Sequence, residues 1–210
     1  MIRVKICGVT TVEDAQLAAE LGAVAIGLVL WPGSPRFVEL TRAKAIVAAL
    51  PPFVSAVGVF VDQPREAERI AREAGLTAVQ FHGDEPPGSY RALSIRVIKS
   101  VPVRDASSRE EAAAVPATAT VLLDAHDRVK RGGTGRTVDW SIAAMIARER
   151  PVILSGGLNA GNVADAVRTV APYAIDVSSG VERVVGRKDP AKLRELFAAL
   201  RAADHAEAPE

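Results

Sequence analysis

At 210 residues, with 49% hydrophobic content and a formal net charge of +1, the chain is sized for one soluble domain with a substantial core. It has no basic tract interleaved with aromatics, no apolar run approaching a membrane span and no signal-peptide core ahead of the strand-like residues 2–7. These features argue against nucleic-acid and membrane partners, and with a single cysteine, which excludes an internal disulfide framework, they point to a cytoplasmic setting.

Short β-branched runs at 4–6, 23–28, 54–61, 78–81, 96–99, 119–123, 151–154 and 174–177 read as eight buried strands. The alanine-rich segments between them read as helices. Thr11, three residues before Asp14, gives the first helix a capping-box-like start, and Pro64 suits the first turn of the third. The last helix opens at Asp189-Pro190 and places Leu193, Leu196, Phe197 and Leu200 on one face. Strands alternating with helices imply right-handed βαβ units and a parallel sheet. Eight units in a small domain favour a closed (βα)8 TIM barrel over 1–203, with 204–210 a short polar tail. The first turn, Cys7-Gly8-Val9-Thr10, lacks the dinucleotide glycine fingerprint of an open doubly wound sheet.

In such a barrel the chemistry sits at the C-terminal ends of the strands, and turns after the last two strands commonly hold phosphate. Two glycine turns stand there: Ser155-Gly156-Gly157-Leu158-Asn159 and Ser178-Ser179-Gly180-Val181-Glu182. Their backbone N–H groups can approach an anion closely, so Gly156, Gly157, Ser179 and Gly180 are candidate phosphate contacts. Cys7 ends the first strand on the same face as Lys5, where it is either a base activated by positive potential or an inert buried thiol. Asp124 directly follows a buried run and is either a general acid or a turn residue. Arg36 lies in a loop shaped by two prolines and a glycine, and is either a carboxylate clamp or a solvated side chain. Gln80 and His82 share a face of the fourth strand; His82 at its mouth can touch substrate or a neighbouring catalytic group, or serve structure alone. Asp176 can hold a sugar or pair with Lys5. Residues 132–135, Gly-Gly-Thr-Gly, are a candidate lid, a further anion contact or a plain flexible loop. His82, His126 and His205 show no ligand spacing, so no metal is expected.

Assembled in order, these motifs resemble the phosphoribosylanthranilate isomerase family over nearly the whole chain. Lys5-Ile6-Cys7-Gly8, Ser34-Pro35-Arg36-Phe37, Gly58-Val59-Phe60-Val61, Val79-Gln80-Phe81-His82-Gly83-Asp84-Glu85 and Leu122-Leu123-Asp124 carry the likeness, with residues 132–135 and the two glycine turns. The resemblance implies a cofactor-free Amadori rearrangement of a phosphoribosyl anthranilate in tryptophan biosynthesis. It implies Cys7 as general base, Asp124 as general acid, Arg36 on the anthranilate carboxylate and the glycine turns on phosphate. Phe81, where the family often has leucine, and residues 125–131 are small departures. A related ribotide isomerase would use two carboxylates and two phosphate sites, and a pentose-phosphate epimerase would need metal-ligating histidines. A barrel that only binds ligand would not need Cys7 and Asp124 at strand ends. The phosphorylated small molecule is the one expected partner, and monomer and homodimer both remain open.

Overall fold

A computed structural model describes residues 2–125 and 137–206. Eight parallel strands close into a barrel in sequence order: β1 (Arg3–Ile6), β2 (Ala25–Val29), β3 (Ser55–Phe60), β4 (Ala78–Phe81), β5 (Arg96–Val103), β6 (Ala119–Ala125), β7 (Val152–Leu154) and β8 (Ala174–Val177). The helices are α1 (Val12–Leu21), α2 (Leu40–Ala48), α3 (Pro64–Ala74), α4 (Ser108–Ala114), α5 (Trp140–Ala147), α6 (Val163–Val170) and α7 (Pro190–Ala206). β1 pairs with β8 in the register Lys5 to Asp176, which closes the cylinder.

Local signals placed the elements as physics requires. The Thr11 side chain accepts from Asp14 N–H at the start of α1, and Pro64 opens α3, where the missing N–H costs nothing. Leu193, Leu196, Phe197 and Leu200 are all buried along α7. Outward-facing Val4, Ile6, Val79, Phe81, Val121 and Leu123 join the helices in one apolar shell. Inside the barrel a separate layer forms from Ile98, Leu122, Ile153 and Ala174. That layer packs the interior below the C-terminal mouth, where barrel sites lie.

Three expectations need correction. The β4–β5 connection is not an α-helix: Pro86-Pro87-Gly88 allows only a 3-10 turn at Pro87–Ser89. Buried Tyr90, stacked on Phe81 at 5.6 Å, covers part of the strand face that a helix would have covered. Second, α7 continues to Ala206, beyond the expected start of the polar tail. Third, two short antiparallel strands that the periodicity did not mark, β9 (Glu182–Val184) and β10 (Arg187–Lys188), form a hairpin beside the mouth. Thr10 donates to the Gly186 carbonyl and Asp14 accepts from Lys188 N–H, which tie this hairpin to the segment after β1.

Candidate active site

The strand ends and following loops surround a cavity of about 300 Å³. Cys7, Arg36, His82, Asp124, Gly156, Gly157, Asp176, Ser179 and Gly180 all line it, so the candidate site residues converge on one place. The expected lid at 132–135 lies outside the described residues. Among the described residues no cluster of His, Cys, Asp and Glu could hold a metal ion.

The mouth has an apolar arc and a polar one. Cys7, Val29 and Val59 pack together with Trp31 on the side of β1 to β3. His82, Asp124 and Asp176 occupy the side of β4, β6 and β8.

Cys7 is buried, and so is Lys5 beside it. Both sit over Gly27 of β2: a β-carbon there would meet the Cys7 sulfur at 2.8 Å and Lys5 Nζ at 3.0 Å. Lys5 donates to Asp176 Oδ1 at 2.8 Å, the internal pairing considered for Asp176, which also lines the cavity. Burial alone would pull the Lys5 ammonium down, but the Asp176 carboxylate and Cys7 outweigh it and push it up to about 12. Burial pushes the Cys7 thiol above its ordinary value, against the pull of Lys5 and Lys188. Burial and the neighbouring cations thus pull the thiol in opposite directions, and burial is the larger.

Arg36 is not a solvated side chain. Its Nε and Nη2 donate to Glu182 Oε1 and Oε2 at 2.8 and 2.7 Å, a two-pronged grip that holds the guanidinium at the cavity wall. Glu182 is buried with two cations. Lys188 donates to its Oε1 at 3.1 Å and to the Ser178 carbonyl at 3.0 Å. Burial would push the Glu182 carboxyl up, but Arg36 and Lys188 win and hold it below the usual range. Burial pulls Lys188 below its usual value.

Asp124 stands late in β6 and its Oδ2 lies 3.2 Å from His82 Nε2. His82 thus touches a neighbouring candidate catalytic group, one of the roles its position allowed. The loop after His82 is set by Glu85, which accepts from Asp62 N–H, from Gly83 N–H and from Lys99. The two glycine turns pack backbone against backbone. Gly156 and Gly157 have φ of +88° and +63°, and a β-carbon on Gly180 would collide with the Leu158 carbonyl.

With this geometry in hand, the comparisons with known proteins agree. The family model for N-(5'-phosphoribosyl)anthranilate (PRA) isomerase matches residues 4–199. The chain belongs to that family. The N-(5'-phosphoribosyl)anthranilate isomerase of Pelobacter propionicus is 47% identical over 198 residues, 94% of each chain. The solved phosphoribosyl anthranilate isomerase of Thermotoga maritima is 40% identical, with a TM-score of 0.90 over 96% of this chain and 100% of that one. It is described in a further structure as dimeric. A third solved isomerase, 39% identical with a TM-score of 0.86 over 96% of this chain and 100% of that one, was determined in complex with reduced 1-(o-carboxyphenylamino)-1-deoxyribulose 5-phosphate.

Sequence reasoning gave no role to Glu182, Lys188, Trp31 or Val185, all of which build or line the site. Glu182 closes the second glycine turn and was visible there, but nothing in the one-dimensional pattern pairs it with Arg36. Lys188 sits on a two-residue strand too short to carry a period. Glu182→Gln should leave Arg36 and Lys188 partly uncompensated in a buried setting. We expect a loss of about 3 kcal/mol or more of unfolding free energy, read from urea denaturation. A shift within error would show that Glu182 does not hold this cluster together.

Proposed function

We propose that the barrel carries out the Amadori rearrangement of N-(5'-phosphoribosyl)anthranilate to 1-(2-carboxyphenylamino)-1-deoxyribulose 5-phosphate, a step of tryptophan biosynthesis, with Cys7 as base and Asp124 as acid. The observation that carries this reading is the convergence of a buried thiol, a carboxyl group, an anchored arginine and two glycine turns on one cavity. No other described cavity residue offers a thiol, since Cys7 is the chain's single cysteine. The assembly is monomer or homodimer, the two states considered from the sequence.

Asp124 gives a proton to the furanose ring oxygen as the C1–O bond breaks, and its electron pair stays on that oxygen. The substrate nitrogen supplies its lone pair to C1, which yields an iminium. Cys7 as thiolate then removes the proton from C2, and the electrons flow into the iminium to form an enolamine. Loss of the proton from the C2 hydroxyl and gain of one at C1 give the aminoketose. No proton is consumed overall. The nitrogen acts as electron sink, so the chemistry calls for neither metal nor organic cofactor.

The remaining groups bind and orient. Two of Arg36's five N–H donors go to Glu182, which leaves its Nη1 edge for the anthranilate carboxylate. The apolar arc of Val29, Trp31 and Val59 suits the aromatic ring. Gly156, Gly157, Ser179 and Gly180 take the phosphate through their backbone N–H groups. Anchoring both ends of the substrate sets C2 against Cys7, and such positioning can supply several kcal/mol, roughly, of the barrier reduction. Lys5 lowers the cost of forming the thiolate.

Cys7→Ser and Asp124→Asn should each lower kcat by about 10²–10⁴-fold with small changes in KM. Arg36→Met should act mainly through KM. Loss of substrate fluorescence on freshly made N-(5'-phosphoribosyl)anthranilate, measured after chelation, reads all three. Near-normal turnover in Cys7→Ser would remove it as the base.

The pH dependence tests Lys5. The thiolate is the active form and burial raises its cost, so the Cys7-dependent limb of kcat/KM rises with pH above neutrality. Replacing the ion pair with the neutral Lys5→Met, Asp176→Asn double variant removes a net stabiliser of the thiolate. The rising limb should move to higher pH than in the wild type. An unmoved limb would show that Lys5 does not assist Cys7.

A further inference from the structure

The Asp124 acid must carry a proton when substrate binds, and the structure offers a reason why it would. Gln80 lies on β4 and His82 directly follows that strand, two residues on, and both side chains line the barrel mouth. The Gln80 amide nitrogen stands 3.2 Å from His82 Nδ1, and His82 Nε2 stands 3.2 Å from Asp124 Oδ2. Gln80 is 1% exposed, and its Oε1 is buried with no hydrogen-bond partner among the described residues. An orphaned acceptor at such a site is costly. Half a turn of the amide exchanges its oxygen and nitrogen: Oε1 then stands against Nδ1 as an acceptor, and the amide nitrogen takes the place Oε1 held.

The two amide orientations have opposite consequences for the acid. With the amide nitrogen toward Nδ1, that ring nitrogen must be an acceptor. The imidazole proton then sits on Nε2 and points at an Asp124 carboxylate, which has no proton to give. With Oε1 toward Nδ1, the ring proton sits on Nδ1. A neutral His82 then presents a lone pair on Nε2, and a bare carboxylate facing it would be repelled. The contact becomes favourable when one further proton lies between Nε2 and Oδ2.

We propose that Gln80 is a positioning residue whose Oε1 accepts from His82 Nδ1–H and thereby keeps a transferable proton on the His82–Asp124 pair. This rests on the reading of Asp124 as the general acid. The proton moves from Oδ2 to the ring oxygen as the C1–O bond breaks. The repulsion between carboxylate and Nε2 lone pair then favours recovery of a proton, and the C2 hydroxyl releases one when the enolamine collapses to the ketone. The pair is reloaded within the same turnover, and no external acid is consumed.

The tautomer is directly measurable, because the chain has three histidines. Uniformly ¹⁵N-histidine-labelled wild type would be examined by long-range ¹H–¹⁵N correlation, with the His82 signal assigned by its loss in His82→Asn. A protonated Nδ1, whether or not Nε2 also carries a proton, is expected. A bare Nδ1 with the proton on Nε2 overturns the proposal.

Kinetics separate positioning from packing. Gln80→Leu keeps the volume and removes the acceptor; it should lower kcat by at least about tenfold with KM within about twofold. Gln80→Glu, which offers only acceptor atoms toward Nδ1, should recover part of that loss and keep the Nδ1 proton signal. A Gln80→Leu enzyme with wild-type kcat, or a Glu variant that shows a bare Nδ1, would overturn it. Asp124→Asn distinguishes this failure from that of the parent reading. If it keeps turnover, the acid assignment falls whatever the tautomer; if it is inactive while Gln80→Leu is not, only the role of Gln80 falls.

Discussion

The buried ion pair between Lys5 and Asp176 is the constraint on which the site depends. It spans β1 and β8, the first and last strands, at the seam where the barrel closes, and the two residues face each other in register. Taking two ions out of water is expensive, and a pair of this kind is tolerated only when each finds its partner at good geometry. Here the carboxylate lies 2.8 Å from the ammonium and, together with Cys7, more than offsets the burial that would otherwise discharge it. The consequence is a permanent positive charge fixed beneath the Cys7 sulfur. Gly27 completes the arrangement, because any side chain there would occupy the space that sulfur and ammonium share.

A second charged cluster supports the proposed binding groups as the first supports the proposed base. Arg36 comes from the loop after β2, Glu182 from the start of the β9–β10 hairpin and Lys188 from its end. Lys188 also holds the Ser178 carbonyl, and Lys192 of α7 donates to the Glu182 carbonyl. The clamp and the second glycine turn are therefore parts of one hydrogen-bonded unit. In the proposed function Arg36 binds carboxylate and the turn binds phosphate, and the supports they share hold a fixed separation before substrate arrives. That separation is what a substrate with an anion at each end can be measured against.

Much of this was legible in the sequence for physical reasons. Each buried parallel strand shows as a β-branched run, and the rule that barrel chemistry sits at strand ends picks out Cys7, His82 and Asp124. The body of α7 was clear because Leu193, Leu196, Phe197 and Leu200 keep helical spacing, whereas its last turn, past Leu200, carries no large apolar residue of that period. What escaped depends on contacts far apart in the chain. Glu182 acquires its role only when folding brings Arg36 to it, and the state of Cys7 follows from burial that composition does not report. The missing β4–β5 helix was marked by Pro86-Pro87-Gly88, but the alternating pattern on either side outweighed that signal in the reading.

The division of labour between strands and loops explains how one site can be both rigid and adaptable. The proposed acid, Asp124, lies within β6, and the proposed base, Cys7, directly follows β1, where its N–H bonds to the Val177 carbonyl at 2.9 Å. Their positions are fixed by the ladder that makes the barrel, and altering either position would require moving a strand. The groups proposed to recognise the substrate's ends sit on loops, which a barrel can vary without disturbing its ladder. Those loops are nevertheless not free, since the buried charges of Arg36, Glu182 and Lys188 must stay paired. Loss of one partner would strand the others in a setting where an unpaired charge is costly, so the same electrostatics that orient the clamp also resist its drift. Positioning and stability are for this reason coupled at the binding end of the site, whereas at the acid–base end the strands themselves supply the stability.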